Sequence, residues 1–466
     1  MAIPSTMVWE ANASGSASNG GGFDSAGTGT DRSQSTIPYV EIEQSAVVGS
    51  IQATTTNFKF TLGYTVTSAD VGNVVYFSGS GAGGLGIVGH YHIVSISGSD
   101  TWVLDRSCGI WGGVPTGSMG GAKSHPVDLI TTTTPVVAGN QIYCKGAFNI
   151  SATAITLPAV ANVRVSGYTT TRNDGSRPTW TTTANSVTQV TVNSGSATGW
   201  LFQDIIFDGD GGTRTTSRGV NMVAGTCAFI NCRFRRFNNN AVTTTLAGYY
   251  LNCEFLDCTS NTVFQGNTGN NNLVGCRFAG NTVLCYSGTN TSRNTLVNCL
   301  FHDNTGTTTD GIQSAHANAY FNISNCTIDG CGRHGINLST VASLGQITNC
   351  LLTNNGVSTA GYGISTTATN PPIFVFNCAF QGNTTGETTG LDANRVSGST
   401  SLSGDPYIDR SSDDYRLDNT SGEGAACKGT GYPAQLNSFD AYINRGSFGT
   451  QNGGGSATRT YAWVGG

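Results

Sequence analysis

The stretch INCRF at residues 230–234 returns six more times along the chain, as LNCEF (251–255), VGCRF (274–278), VNCLF (297–301), SNCTI (324–328), TNCLL (348–352) and FNCAF (376–380). The central cysteines stand at positions 232, 253, 276, 299, 326, 350 and 378, so successive copies are 21, 23, 23, 27, 24 and 28 residues apart. A repeat of this length is typical of solenoids, in which one turn cannot bury its apolar face but a stack of turns can.

Each copy places one kind of residue in each slot. Phe, Ile or Leu stands two residues after the cysteine, so the two side chains share one face of a strand. Another apolar residue stands three positions before the cysteine, and both sets can point inward only if the chain bends between them. Asn or Gly precedes every cysteine, and both tolerate the left-handed backbone of such a bend. The predicted structural columns are Cys232, Cys253, Cys276, Cys299, Cys326, Cys350 and Cys378, and Asn231, Asn252, Asn298, Asn325, Asn349 and Asn377.

A further apolar slot follows most cysteines at variable distance, at Val242, Val263, Val283, Ile312, Ile336 and Ile364. Short strands, a fixed corner and loops of variable length are features of a parallel β-helix. Its turns stack about 4.8 Å apart, so that Cys lies on Cys and Asn on Asn.

The composition excludes several classes of partner. Glycine accounts for 64 of the 466 residues and charged residues for 11%, which favours turn-rich all-β structure. A net charge of −5 gives no basic surface for nucleic acid. We expect no membrane insertion because no apolar run reaches about 18 residues. The N-terminus lacks the features of a secretion signal, so we expect assembly in a host cytoplasm.

The chain contains 14 cysteines, which could suggest a disulfide scaffold. Seven of them share one inward slot, where cysteine acts as a small apolar side chain. The others show no spacing typical of zinc ligands. We therefore expect reduced, buried thiols and no metal.

We divide the chain into an N-terminal arm (1–40), a small β domain (41–125), a parallel β-helix (126–408) and a cap with a C-terminal tail (409–466). The arm and the tail carry isolated aromatic residues that we predict to act in binding or assembly: Trp9, Phe23, Tyr461 and Trp463. The arm could instead lie against its own domain. The charged segment 403–418 is predicted to close the end of the solenoid, where unpaired strand edges would otherwise be exposed.

The repeats resemble the right-handed parallel β-helix superfamily of pectate lyases, polygalacturonases and phage tailspikes. Four other stretches are similar to segments of β-helix proteins encoded by bacteriophages and environmental bacteria: VWE…NGGGF (8–23), TSADVGNVVYFSG (67–79), VSGYTTTRNDGSRPTW (165–180) and DPYIDRSSDDYRL (405–417). The resemblance implies an all-β fold, a right-handed single-stranded parallel β-helix with a small N-terminal β domain and a glycine-rich C-terminal tail. It also implies a virion structural protein of the tailspike, fibre or capsid-decoration class.

The weak catalytic candidates are Asp257, Asp303, His302 and His334. Asp257 and Asp303 each stand four residues after a cysteine and two turns apart, which is roughly 9 to 10 Å at the sheet spacing. That separation borders the range of an inverting carboxylate pair. Asp at such positions also satisfies turn backbone groups, and we favour that interpretation. His90 and His92 share a strand face, but no third metal ligand is evident.

Three functions remain open from the sequence. We favour a non-enzymatic structural component of a phage virion, located in the virion and without a cofactor. We expect it to form a homotrimer in contact with other virion proteins. The first alternative is a receptor-binding tailspike that binds or depolymerises host-surface polysaccharide. The second alternative is a free polysaccharide lyase or hydrolase.

Overall fold

The structure is a computed structural model that describes residues 3–42, 56–59, 64–79, 88–108, 116–130, 136–151, 155–211, 214–259, 261–289, 291–314, 316, 318–338, 344–367, 372–418 and 423–427. Its strands are numbered β1 to β42 in chain order. Three long sheets form the solenoid, and their strands are parallel except for the pair β1 and β2. Sheet 3 has ten strands, which correspond to ten turns. No described helix is long and apolar enough to cross a bilayer.

Sheet 1 contains, in spatial order, β2 (Gly22–Asp24), β1 (Met7–Asn12), β9 (Gln141–Lys145), β12 (Arg164–Tyr168), β15 (Trp200–Gln203), β18 (Cys227–Ile230), β21 (Gly248–Leu251), β24 (Asn270–Val274), β27 (Arg293–Val297), β30 (Tyr320–Ser324), β33 (Leu344–Thr348), β36 (Ile373–Phe376) and β39 (Val396–Ser397).

Sheet 2 contains β10 (Phe148–Ile150), β13 (Thr179–Thr182), β16 (Ile206–Asp208), β19 (Arg233–Arg235), β22 (Glu254–Leu256), β25 (Arg277–Ala279), β28 (Leu300–His302), β31 (Thr327–Asp329), β34 (Leu351–Thr353), β37 (Ala379–Gln381) and β40 (Thr400–Ser401). Sheet 3 contains β11 (Ile155–Thr156), β14 (Thr188–Val192), β17 (Arg218–Met222), β20 (Val242–Thr244), β23 (Phe264–Gly266), β26 (Tyr286–Gly288), β29 (Ile312–Ser314), β32 (Ile336–Asn337), β35 (Tyr362–Ser365) and β38 (Gly386–Thr389).

A six-stranded antiparallel sheet forms the small N-terminal domain, in the order β3 (Val40–Ile42), β8 (Thr116–Met119), β5 (Val74–Gly79), β6 (Gly89–Ser97), β7 (Thr101–Leu104) and β4 (Asn57–Lys59). Near the C-terminus, β41 (Tyr407–Asp409) and β42 (Asp414–Leu417) form a hairpin, followed by helix α1 (Glu423–Cys427). Single 3-10 turns occur at Ser68–Asp70, Pro126–Asp128, Ala393–Arg395 and Arg410–Ser412.

The corner between sheets 1 and 2 has the backbone that the repeat predicts. The six asparagines that precede a cysteine have φ between 52° and 55°, and Gly275 has φ of 63°. The bend turns the cysteine side chain back into the interior, where all seven repeat cysteines are buried. All 14 cysteines of the chain are buried thiols, and none of them forms a disulfide. The predicted parallel β-helix is confirmed.

Aromatic rings stack along the interior of sheet 2. Ring centroids of consecutive turns lie 4.9 Å apart for Phe207 and Phe234, 5.1 Å for Phe234 and Phe255, and 4.5 Å for Phe255 and Phe278. Their planes are nearly parallel, with interplanar angles of 8°, 7° and 12°. Burying a side chain of this size contributes about 1.5–3 kcal/mol, so this column is a major source of stability.

The third apolar column differs in register from the sequence expectation. In sheet 3, Val242 pairs with Phe264, Phe264 with Tyr286, and Tyr286 with Ile312. The column residues are therefore Phe264 and Tyr286, and the prediction of Val263 and Val283 is wrong. The loop between sheets 2 and 3 changes length from turn to turn, so counting from the cysteine fails there.

A second left-handed corner follows sheet 2, four residues after each repeat cysteine. Its members share positive φ and are Arg236, Asp257, Gly280, Asp303, Gly330, Asn354 and Gly382. A buried amide ladder continues from the next position. The Oδ1 atom of Asn304 accepts from Asn281 N at 3.0 Å and from Asn281 Nδ2 at 2.9 Å, and Asn304 Nδ2 donates to the Phe278 carbonyl at 3.0 Å. The ladder supplies the hydrogen bonds that buried corner backbone would otherwise lack.

The N-terminal arm is part of the solenoid. Strand β1 pairs in parallel with β9 and so forms the first rung of sheet 1. Trp9 is fully buried in the solenoid core, and its Nε1 donates to Asn140 Oδ1 at 3.0 Å. The small β domain is thus an insertion between the first and second rungs, with its own apolar core around Phe58, Phe77 and Trp102.

The charged segment near the C-terminus does not close the end of the stack. The hairpin β41–β42 lies on the outer face of sheet 2, where Tyr407, Tyr415 and Leu417 pack in one apolar cluster with Leu300, Leu351 and Ala379. These three sheet residues belong to β28, β34 and β37. The expectation of an end cap is therefore corrected, because the hairpin finds an apolar strip along the side of the solenoid.

Candidate functional site

Two of the four catalytic candidates meet beneath the C-terminal hairpin. His302 ends β28 and is buried, and its Nδ1 atom donates to Asp303 Oδ2 at 2.7 Å. Asp303 occupies the second left-handed corner, with φ of 52°. The hydrogen bond from His302 holds the pKa of Asp303 below its usual value, so its carboxylate is ionised.

Arg277 and Asp413 complete this cluster. Arg277 Nε donates to His302 Nε2 at 2.8 Å, and its Nη2 lies 2.8 Å from Asp413 Oδ2. Both ring nitrogens of His302 therefore have partners, and the imidazole offers no free nitrogen to a substrate. His302, Asp303 and Asp413 do present three ligand atoms within 4.8 Å of one another. The Arg277 guanidinium and the shared Nδ1 proton oppose a cation there.

Asp329, one turn further on, anchors the hairpin. It is fully buried, and its Oδ1 accepts from Thr353 Oγ1 at 2.6 Å and Asn354 Nδ2 at 2.8 Å. Its Oδ2 accepts from Arg410 Nε at 2.5 Å and from the Tyr415 hydroxyl at 3.2 Å. Four hydrogen bonds satisfy this buried carboxylate. Asp329 therefore holds the hairpin on sheet 2 and is not open to a ligand.

The other two candidates lie elsewhere. Asp257 occupies the same corner column as Asp303, with the Gly280 turn between them. A Cβ atom on Gly280 would lie 2.5 Å from Asp257 Oδ1, so this carboxylate folds against the next turn. His334 precedes β32 in sheet 3, and its Nδ1 accepts from the Tyr362 backbone N–H at 3.0 Å. Its neighbour Asp310 is held by Arg333 through two bonds of 2.8 and 2.6 Å.

A shallow cleft of about 570 Å³ opens beside the cluster. Asp303, Asp405, Asp409 and Asp413 line it together with Arg410. The corner backbone and the hairpin turn hold these carboxylates, and Asp413 itself has a left-handed φ of 59°. The sequence made Asp303 a weak catalytic candidate and favoured a role in a turn, and its left-handed φ of 52° agrees with the turn role because Asp tolerates such a corner.

The two predicted assembly residues of the N-terminal arm are not exposed. Trp9 and Phe23 are buried against their own chain, so the structure leaves neither ring available to a partner and corrects that expectation. Gly22 beside Phe23 lies against the Trp9 ring and Val74, where a Cβ atom would come within 2.8 Å of both. Tyr461 and Trp463 lie outside the described residues.

A buried ionic cluster joins the arm to the third rung of sheet 1. Glu10 is fully buried and accepts from the Tyr168 hydroxyl and, at 3.0 Å, from Arg172 Nε. Arg172 also pairs with Asp31 at 2.8 Å and donates to Ser33 Oγ at 3.0 Å. Burial raises the pKa of Glu10 to about 7 although Arg172 opposes the shift. Two of the stretches that resemble phage proteins, VWE and VSGYTTTRNDGSRPTW, therefore contact each other in this ionic cluster.

His90 and His92 lie on β6 of the small domain. The His90 ring packs against Trp9 with a centroid distance of 5.7 Å and against Tyr76 at 4.6 Å. His92 Nε2 is 3.7 Å from Asp24 Oδ2. Burial lowers the pKa of both imidazoles, so they pack as neutral rings. Among the residues that the structure describes, the one group of three or more potential metal ligands is the His302 cluster.

Three arginines in and directly after β19, Arg233, Arg235 and Arg236, pair with acidic residues. Arg235 and Arg236 both contact the buried carboxylate of Asp208, at 2.8 and 2.5 Å. Arg233 pairs with Glu254 at 2.7 Å. Each of these three guanidinium groups is therefore engaged by a carboxylate of the same chain.

Comparison with known proteins supports the fold. A family model described as a right handed beta helix region matches residues 218–384, from β17 to beyond β37. Together with the parallel three-sheet topology, this match confirms the right-handed parallel β-helix. No curated protein matches the sequence.

Several solved structures are similar to this chain. ORF18 of Geobacillus virus E2 is 14% identical with a TM-score of 0.35, over 52% of this chain and 54% of that one. The pectate lyase Pel9A is 14% identical with a TM-score of 0.41, over 67% and 88%. The tailspike protein gp49 from Pseudomonas phage LKA1 is 12% identical with a TM-score of 0.21, over 79% and 64%. The chain spans about half the length of the Geobacillus virus protein. Likeness at this level does not distinguish an enzyme from a structural protein.

Proposed function

We propose that the chain is a non-enzymatic structural component of a phage virion. The non-enzymatic part of this proposal rests on one observation, which is that carboxylates on the solenoid have structural roles. Asp303 holds a left-handed corner and bonds His302, while Asp329 is buried with four partners beneath the hairpin. A glycosidase needs one carboxyl group that stays protonated to act as the general acid, whereas the pKa of the exposed Asp303 is held below its usual value.

The virion assignment is supported by the four stretches that resemble phage-encoded β-helix proteins. Three of them converge around the first rung, where Trp9 and Gly22 pair in β1 and β2 and Asp24 N donates to the Gly72 carbonyl at 2.8 Å. The fourth forms the hairpin on sheet 2. Long-range contacts hold both the first rung of sheet 1 and the hairpin on sheet 2. Such a stack suits a structural part of a particle that contacts other virion proteins.

An activity assay tests the non-enzymatic proposal. Purified protein is incubated with pectate, alginate and bacterial surface polysaccharide, and released oligosaccharide is measured by mass spectrometry. We expect no release by the wild type and the same background for Asp303→Ala. Release by the wild type that Asp303→Ala abolishes would overturn the proposal and favour a depolymerising tailspike.

Binding of a host-surface glycan without cleavage is a second candidate. The observation in its favour is a groove of about 660 Å³ between the arm and the small β domain. Hydroxyl and amide side chains line it, including Ser16, Asn19, Ser78 and Ser118, together with the Glu41 carboxylate. Such groups match the hydroxyls of a sugar. A glycan array with wild type and Ser118→Trp would reveal binding there, and equal signals from both proteins would exclude this groove.

A further inference from the structure

We infer that the contact between the small β domain and the first rung of sheet 1 opens when His90 takes up a proton. We call this contact the junction. Its residues are Val74, Tyr76, His90 and His92 of the small β domain and Trp9, Gly22 and Asp24 of β1 and β2. The junction belongs to the fold of the single chain, so its response to acid is independent of any role in a virion.

The strands β5 and β6 present two faces, because side chains alternate along a strand. One face packs into the core of the small β domain through Val75, Phe77, Tyr91 and Ile93. Strand pairing joins the intervening positions in two pairs, Val74 with His92 and Tyr76 with His90. These four side chains therefore form one patch on the opposite face, and this patch faces the first rung.

The patch packs on the beginning of the solenoid core. The His90 ring contacts the Trp9 ring edge-on, with 5.7 Å between their centroids. Val74 and Trp9 share the apolar cluster of the solenoid. A Cβ atom on Gly22 would lie 2.8 Å from Val74 Cγ2, so the two elements approach each other closely there. The small β domain thus helps to keep Trp9 fully buried, and Trp9 loses this cover when the junction opens.

His90 packs against both Trp9 and Tyr76, and its Nε2 atom is buried. Among the residues that the structure describes, no hydrogen-bond partner reaches this atom. The Tyr76 ring lies 4.6 Å from the imidazole, measured between ring centroids. Two cations are close, since Lys123 Nζ lies 4.0 Å from the Tyr76 ring centroid and Arg106 donates to the His90 carbonyl. Burial and these two cations hold the pKa of His90 well below its ordinary value of 6.5.

His92 responds less to acid than His90 does, because carboxylates face it. Its Nε2 atom lies 3.7 Å from Asp24 Oδ2, and its backbone N–H donates to Asp105 Oδ1 at 3.0 Å. Burial lowers the pKa of His92, whereas Asp24 and Asp105 oppose that shift. A proton on His92 can therefore remain in the closed junction beside Asp24, so we assign the acid response to His90.

Two other buried titratable groups lie near the junction. Burial lowers the pKa of Lys123 to about 7, so below about pH 6 its ammonium group is charged whether the junction is closed or open. Glu10 follows Trp9 in β1, and alternation directs its carboxylate to the other side of the strand. It contacts Tyr168 and Arg172 there, and these bonds are not part of the junction.

A proton on His90 in the closed junction adds a third positive charge beside Lys123 and Arg106, and the Nε2–H group finds no acceptor. In the open junction, water solvates the imidazolium, so the open form binds the proton more tightly. The closed form is therefore fully favoured above pH 6.5 and loses stability as the pH falls towards the low pKa of the closed state. With a pKa of 6.5 for the open form, the ratio of open to closed molecules rises up to about thirtyfold between pH 7.5 and pH 5.

Hydrogen exchange of the full chain at pH 7.5 and pH 5 tests this inference. Two backbone bonds cross the junction: Asp24 N–H donates to the Gly72 carbonyl at 2.8 Å, and Lys123 N–H donates to the Glu10 carbonyl at 2.9 Å. Exchange of these two amides, corrected for the intrinsic effect of pH, measures how often the junction opens. Between pH 7.5 and pH 5, we expect the wild type to lose up to about thirtyfold more protection than His90→Gln, which cannot take up a proton.

His90→Phe is a second variant that cannot titrate, and its ring can pack against Trp9 and Tyr76. The matched control is His334→Gln on the solenoid, which should keep the wild-type pH profile at the junction. A purely structural role of His90 would change protection by the same factor at both pH values. That result, or a wild-type profile in both His90 variants, would overturn the inference. An equal loss of protection in residues 270–279 of the middle turns would also overturn it, because acid would then open the whole solenoid.

Discussion

Replacing Asn304 by leucine should be among the most destabilising polar substitutions in the solenoid. The side chain is fully buried and makes three hydrogen bonds, two from Asn281 and one to the Phe278 carbonyl. Leucine fills similar space but leaves those groups without partners. A buried polar group without a partner costs about 1–3 kcal/mol, and Asn281 Nδ2 keeps its bond to the Phe255 carbonyl at 3.1 Å. We therefore expect a loss of about 3–5 kcal/mol in the free energy of unfolding.

The loss is measured by guanidinium-induced unfolding of Asn304→Leu, with Asn270→Leu as the control variant. Asn270 is exposed at the start of β24, so the same substitution there should change stability by about 0.5 kcal/mol or less. Hydrogen exchange gives a local readout, since the Asn281 amide proton should exchange faster only in Asn304→Leu. Equal midpoints for the two variants would refute the reasoning that the amide ladder holds this corner.

Four further substitutions test other parts of the structure. Cys276→Ser replaces a buried thiol whose Sγ lies 3.5 Å from the Tyr250 carbonyl, and it should lower the free energy of unfolding by about 1–3 kcal/mol. In the native protein, thiol reagents should label the cysteines slowly, and rapid labelling would contradict their burial. Asn298→Leu, at φ of 54°, should cost about 1–2 kcal/mol in a thermal or denaturant melt, and an unchanged melt would argue against a strained corner. Asp329→Asn should loosen the hairpin, so limited proteolysis should cleave it faster than in Asp414→Asn, whose carboxylate pairs with an exposed Arg416. Glu10→Gln should remove one contribution to the pH dependence of stability. Because the folded pKa of Glu10 is about 7 against 4.5, the native state holds an extra proton, so the contribution of Glu10 is greatest below pH 4.5 and declines by up to about 3 kcal/mol as the pH rises to 7. An identical pH profile in both proteins would refute this.

The sequence predicted those parts of the fold in which the residue spacing is constant. Cys276 directly precedes β25 and Phe278 lies in it at a fixed separation, and Asn298 precedes its cysteine directly, so their columns follow from the repeat. The column in sheet 3 was misassigned because a variable loop precedes it, and Phe264 cannot be distinguished from the adjacent buried Val263 by counting. Constant spacing therefore predicts which residues form the columns at the corner and in sheet 2. The column in sheet 3 follows a loop of variable length, so spacing alone does not predict it.

Contacts between distant segments could not be predicted in the same way. Strand β1 joins the solenoid although the small β domain separates it from β9 in the sequence, and this pairing turned Trp9 from an expected binding residue into a core residue. The hairpin packs on β28, which precedes it by about a hundred residues, through the buried Asp329 and the Leu300 cluster. Asp257 and Asp303 each stand four residues after a cysteine, and the left-handed backbone at this position agrees with the turn role that the sequence favours for them.

Labelling of purified particles tests the central claim most directly. An antibody raised against the β-helix of this chain is applied to phage particles from cells that carry its gene, and bound antibody is located by electron microscopy. We expect several labels per particle at one fixed position on the capsid, tail or fibre, and we expect mass spectrometry to detect the protein in the particle. Particles without label or protein, with all of the chain in the soluble fraction of the lysate, would contradict a structural role in the virion.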